Sequence, residues 1–174
     1  TQTQFITPPT QYEPLKETHP DFIQNLQTDI SEYLAATPPG SQDYFLGTWF
    51  GKGINLLMLA DAHDLQKEKQ DLINFLSPKF TASLKDFIYD PAQNSLIAVK
   101  PEFGNEELND HHFHYGYFIR AAAILAQFNP EILPEIKEPI NEMIQYIANT
   151  QKNSDKYPYI RHFDIYESHS WASG

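Results

Sequence analysis

From Asp21 onward the apolar residues recur three and four apart. Phe22, Ile23, Leu26, Ile30, Tyr33 and Leu34 fall on one face, which predicts a helix. Pro38, Pro39 and Gly40 stop it. A second helix is predicted from about Gln42 to His63. Its Phe45, Leu46, Trp49, Phe50, Leu56, Leu57 and Leu59 cover more than one face, as in a helix packed on several sides. Gly47, Gly51 and Gly53 each lower its propensity by about 1 kcal/mol against Ala. They mark close packing, a break or the approach of a ligand. The third pattern, Leu65 to Phe87, carries Leu72, Ile73, Leu76, Phe80, Leu84 and Phe87 at helical spacing, with Pro78 expected to kink or divide it.

The period changes between Ile88 and Val99. Two short apolar runs flank Asp90-Pro91-Ala92-Gln93-Asn94, which predicts a β-hairpin between helices. A fourth helix is expected from Asp110 or His114 to Phe128. A fifth follows from Pro130 to Asn149, its first half irregular because of Pro134 and Pro139. Lys156 to Gly174 has no period and reads as loop. The opening, with Pro8, Pro9 and Pro14, reads as a Pro-rich lead-in over residues 1–19, before a helical domain over 20–174. The sum is an all-α domain built from helical hairpins, with a small β-hairpin insertion.

Composition narrows the function classes. With 12 basic and 23 acidic side chains the 174-residue chain carries a net charge of −11, and its lysines are scattered among acids. That argues against nucleic acid, which requires a basic stripe, and against an anionic membrane. No apolar run approaches a membrane span. The absence of Cys excludes disulfides, thiolate metal sites and thiol catalysis. Aromatics at 14% suit a neutral, flat-faced ligand such as a sugar.

Two segments concentrate chemistry. In Asn109-Asp110-His111-His112-Phe113-His114-Tyr115-Gly116-Tyr117, a helix starting near Asn109 puts Asp110, His114 and Tyr117 on one stripe. That stripe reads as an active-site wall. Two structural alternatives stand beside it: Asn109 or Asp110 as the N-cap, and His111, His112 and His114 as metal ligands, although the spacing is not that of a zinc helix. A capping carboxylate is held ionised by backbone N–H groups, whereas a general acid must keep its proton. Asp110 can donate a proton only if its side chain is free of its own helix.

The second segment runs from Tyr157 to Trp171. It holds Arg161, His162, Asp164, Glu167 and His169 among five aromatics. It reads either as a loop with a surface Arg161–Asp164 pair or as a sugar subsite with Tyr166 or Trp171 as stacking platform. Ser170, His169 and Asp164 lack the nucleophile elbow of a hydrolase triad.

"NDHHFHYGYFIRAAAILA" (Asn109–Ala126) and "RHFDIYESHSWASG" (Arg161–Gly174) resemble the two signature blocks of glycoside hydrolase family 81, the endo-β-1,3-glucanases. Tyr44–Ala60 and Tyr89–Gly104 are similar to the same family more loosely. The resemblance implies a metal-independent, cofactor-free, inverting hydrolysis of β-1,3-glucan on an (α/α)6 toroid, in a secreted or cell-surface protein. It implies Asp110 as general acid. His111, His114, Tyr117, Asp164, Glu167, His169 and Trp171 would then form the acid's surroundings and the sugar subsites.

In the family the general base is one of two glutamates shortly after the tryptophan block, beyond Gly174. The expectation is therefore the first half of a toroid, weak or inactive without the rest of the catalytic domain. Ser168 departs from the family, which has Gly there. A non-catalytic β-glucan-binding module is the rival reading.

Overall fold

The computed structural model describes residues 19–40, 43–161 and 163–171. The lead-in over 1–18, His162 and the last three residues of the second block lie outside them. Among the described residues there are five α-helices: α1 (Phe22–Ala35), α2 (Tyr44–Ala62), α3 (Gln66–Ser83), α4 (His111–Phe128) and α5 (Leu133–Ala148). Their positions follow the apolar periods. α2 is the centre, packed against α1, α3 and α4, while α5 packs on α4. The three-residue link from α2 to α3 and the short 3-10 link Pro130–Ile132 before α5 make two helical hairpins.

The many-sided pattern of α2 is explained by this position. Phe50, Ile54, Leu57 and Ala60 are fully buried among Leu72, Leu76 and Phe80 of α3 and Phe118 and Leu125 of α4. Close approach accounts for Gly53. A Cβ there would lie 2.8 Å from Leu76 Cδ2 and closer still to the Tyr33 hydroxyl, which itself donates to the Trp49 carbonyl at 2.9 Å. Gly53→Ala is expected to cost about 1–3 kcal/mol through overpacking. The check is a lower urea midpoint at unchanged slope.

The structure departs from the sequence reading in four places. α3 runs without interruption through Pro78. The proline sits on the exposed face while Leu76, Ser77 and Phe80 are buried around it, so packing outweighs one missing bond. Phe87 leaves the helical period to open β1. β1 (Phe87–Asp90) pairs antiparallel with β2 (Ser95–Ala98), Phe87 opposite Ala98 and Asp90 opposite Ser95. The Phe87 ring packs edge-on to Phe118 and Tyr115, at 4.9 and 5.3 Å between centroids. α5 is helical from Leu133: Pro134 falls in its first turn, where no N–H is needed, and Pro139 lies inside the helix without ending it. In the tail, β3 (Phe163–Asp164) pairs with β4 (His169–Ser170).

Candidate active site

Asp110 immediately precedes α4, in the place of an N-cap, but its side chain makes no cap bond. The cause is its backbone. With φ at 55° Asp110 is left-handed, and its carbonyl, not its carboxylate, accepts from Phe113 and His114 at 3.0 and 2.9 Å. The carboxylate is half-buried and accepts from Asn109 Nδ2 at 2.9 Å; that same amide donates to the Phe103 carbonyl at 3.0 Å. The condition set by the sequence, a carboxyl free of its own helix, is met.

The segment leading there is bent hard. Phe103, Gly104, Leu108 and Asp110 all have φ between 53° and 78°. Each non-glycine residue in that region costs about 1 kcal/mol or more, so the surroundings must hold the segment in place. Asp43, which has no role in the sequence reading, is in contact with both ends of it. Fully buried, it accepts from the Tyr44 amide through Oδ1 at 2.6 Å. Its Oδ2 accepts from the Glu102 amide at 3.0 Å and lies 3.4 Å from His114 Nδ1. Glu102 answers by accepting from the Phe45 amide at 3.0 Å, so two carboxylates from distant segments cap α2. Burial works to raise the pKa of Asp43, but the bonds from His114, Glu102 and Tyr44 outweigh it and hold the group below the usual carboxylate range.

The histidines do not face solvent. His111 is 2% exposed and His114 1%. His111 donates through Nε2 to the Asn105 carbonyl at 2.6 Å, and its Nδ1 accepts from the Tyr146 hydroxyl. Those bonds set the tautomer. Burial, the main cause, pushes its pKa down to about 4. His112 donates to the Ile147 carbonyl at 2.9 Å. The three imidazoles are thus engaged within the protein, and among the described residues no group of three His, Asp or Glu is placed to hold a metal. His111 and His114, expected above to contact sugar, are instead buried, His111 against Asn105 and Tyr146 and His114 beside Asp43.

An aromatic cluster adjoins the Asn109–Asp110 turn through Phe103, whose carbonyl shares the Asn109 amide with the Asp110 carboxylate. Tyr44 lies within 5.0 to 6.2 Å, between centroids, of Phe103, Phe113 and Tyr117. Phe45 joins Phe103 at 5.6 Å. Phe45, Phe103 and Phe113 are exposed, and Tyr117 is half-buried, its pKa raised by that burial.

The second block folds as the β3–β4 hairpin. Asp164 Oδ1 accepts from the Glu167 and Tyr166 amides at 3.1 and 2.8 Å, which lowers its pKa. Ser168, where the resemblance calls for Gly, has φ at 56°. The turn is kept at the cost of a left-handed serine, and Ser168→Gly is expected to stabilise the chain by about 1 kcal/mol, read as a higher thermal midpoint. Glu167, His169 and Trp171 are exposed, and Tyr166 is 90% exposed. His169 and Trp171 rings meet at 4.6 Å.

Among the described residues no hydrogen bond or ion pair joins Asp110 to Asp164, Glu167 or His169. The two blocks are tied instead through the core. Arg161, 4% exposed, lies 4.6 Å over the Tyr146 ring, whose hydroxyl bonds His111. Among the described residues the surface Arg161–Asp164 pair is not formed, and Arg161 Nε and Nη2 have no hydrogen-bond partner there.

Comparison with known proteins agrees with these blocks. Residues 15–174 match the model of the glycosyl hydrolase family 81 C-terminal domain. A glucan endo-1,3-beta-D-glucosidase of Acetivibrio thermocellus is 37% identical over 151 residues, covering 80% of this chain and 20% of that protein. One of Thermobifida fusca is 32% identical over 165 residues, covering 87% and 22%. A solved glycoside hydrolase family 81 variant from Clostridium thermocellum superposes with a TM-score of 0.75 at 34% identity, over 87% of this chain and 23% of that one. The chain therefore spans between a fifth and a quarter of the length of these relatives. On the match across its length and on these identities, the chain belongs to glycosyl hydrolase family 81.

Proposed function

We propose that this chain is the first part of an (α/α)6 catalytic domain that cleaves β-1,3-glucan internally with inversion, in a secreted or cell-surface protein. One observation carries the reading: the Asp110 carboxyl makes no bond to its own helix and shares the Asn109 amide with the carbonyl of Phe103, whose ring packs on Tyr44. Family membership and the relatives' names supply the substrate class.

In the reaction the bond from the anomeric carbon to the departing sugar oxygen breaks as Asp110 gives that oxygen its proton. A water, surrendering its own proton to a base, bonds the anomeric carbon from the opposite face. Such a pair of carboxyls stands ~6.5–9.5 Å apart. Glu167 is bound into an exposed hairpin turn with no bond to Asp110, which suits a sugar contact better than the base. The base comes from elsewhere in the domain. Tyr117, Asp164, Glu167, His169 and Trp171 serve as subsites, and His111 and His114 as supports of the Asp110 turn.

The test compares β-1,3-glucan turnover by the 174-residue chain with that of a polypeptide extended to the relatives' length. The reading predicts turnover in the long form and little in the short. Equal activity in both would place the base among the residues described above. A second reading, a glucan-binding module without hydrolysis, draws on the exposed Tyr166 and Trp171 rings. Glucan affinity without turnover in the extended polypeptide would favour it.

A further inference from the structure

We propose that Asp43 is a positioning residue for proton donation. Through its contact with His114 and its bond to the Glu102 amide, it fixes the turn that aims the Asp110 carboxyl. The inference rests on Asp110 being the general acid.

A buried carboxylate requires partners for its oxygens. Asp43 is fully removed from water, and its oxygens are used by three groups on three elements: the Tyr44 amide of α2, the Glu102 amide of the bent segment, and the His114 ring of α4. Asp110 lies between the last two of these along the chain. The stretch between them contains the four left-handed residues, a run that relaxes unless held at both ends. Glu102 holds one end and the first turn of α4 the other, and Asp43 is common to both.

Asn105 adds a second tie inside the stretch. Its carbonyl takes the His111 Nε2 proton, and its amide lies 3.5 Å from His114 Nδ1. Asp43 itself touches no solvent and cannot meet a sugar, so whatever it does for turnover passes through the turn.

A residue acting through the acid leaves a mark that general destabilisation does not. A sugar leaving group needs a proton, whereas fluoride departs without one. In the extended polypeptide, Asp110→Asn should lose most turnover of β-1,3-glucan and keep that of a β-1,3-linked disaccharide β-fluoride. Asp43→Asn should show the same split. Its kcat on glucan is expected to fall on the order of 100-fold, as for a misplacement of about 1 Å, with KM and the fluoride rate changed less than about twofold.

An equal loss on both substrates, or none, in Asp43→Asn overturns the inference while leaving Asp110 as the acid. If Asp110→Asn itself shows no split, the reading of the acid fails instead. Should Asp43→Asn not fold, His114 carries the test. His114→Asn, whose amide N–H takes the place of Nδ1–H, should retain turnover, and His114→Leu should show the split. The same rates in both variants overturn the proposal.

Discussion

Asp110→Asn in the extended polypeptide is expected to cut β-1,3-glucan turnover by about 100- to 10,000-fold, the usual share of a general acid. Asparagine has the size of aspartate and still accepts from Asn109 Nδ2, so the turn before α4 should survive. What it lacks is a proton to give. The bond to a sugar alkoxide then breaks unassisted, and only the contributions of the base and of substrate placement remain. Affinity for the glucan should change little, which calorimetric titration with a β-1,3-linked oligosaccharide would check. Turnover close to that of the unchanged protein would move the acid elsewhere. Affinity with no turnover in either form would return the binding-module reading.

The largest expected effect on the fold itself is a loss of stability in weak acid, traced to His111. In the folded chain this ring is buried and neutral, accepting from Tyr146 and donating to Asn105, with its pKa pushed down to about 4. In the unfolded chain it takes a proton near the ordinary value of about 6.5. As pH falls through that interval the unfolded state binds the proton and the folded state does not. Stability therefore rises with pH across the window and falls on acidification. The contribution of His111 is fully present above about 6.5 and is lost towards about 4, amounting to about 3 kcal/mol.

Carboxylates held below their usual range, such as Asp43, add their loss only at lower pH, after they begin to protonate. Urea unfolding of the 174-residue chain at steps between pH 7 and 4 would measure the slope. In His111→Gln, which keeps a donor for the Asn105 carbonyl and has no imidazole, the share due to this ring should vanish. An unchanged slope in that variant would assign the effect to other groups.

The helices were legible because burying one face leaves a period in the sequence. Leu26, Ile30 and Tyr33, or Leu72, Leu76 and Phe80, announce α1 and α3 before any packing is known. Phe87 was not legible, since one aromatic residue fits the end of a helical period as well as the start of a strand. What decides is the pairing with Ala98 and the contacts with Phe118 and Tyr115.

The site shows the same division. Asp110 stood out by its neighbours, and the requirement that it avoid capping could be stated in advance. Its left-handed backbone could not, because it is imposed by contacts along the Glu102–His114 stretch. Histidines attract attention as chemistry, yet their burial is a tertiary fact, so His111 and His114 looked like a wall of the site when both rings are buried. Asp43 escaped for the opposite reason. Next to a predicted helix start an Asp is ordinary, and the amide that gives it meaning belongs to Glu102, 59 residues further on. The nearest signal was the fit of both Tyr44–Ala60 and Tyr89–Gly104 to one family.

The central claim is that the Asp110 carboxyl meets the glycosidic oxygen. A structure of the Asp110→Asn polypeptide with a β-1,3-linked oligosaccharide bound across the aromatic patch tests it directly. The account predicts the substituted side chain at position 110 within about 3 Å of the oxygen between two sugar rings, with Phe103, Phe113 or Tyr44 against a ring face. A sugar chain seated only along the Tyr166–Trp171 hairpin, with position 110 out of reach of every glycosidic oxygen, would contradict it.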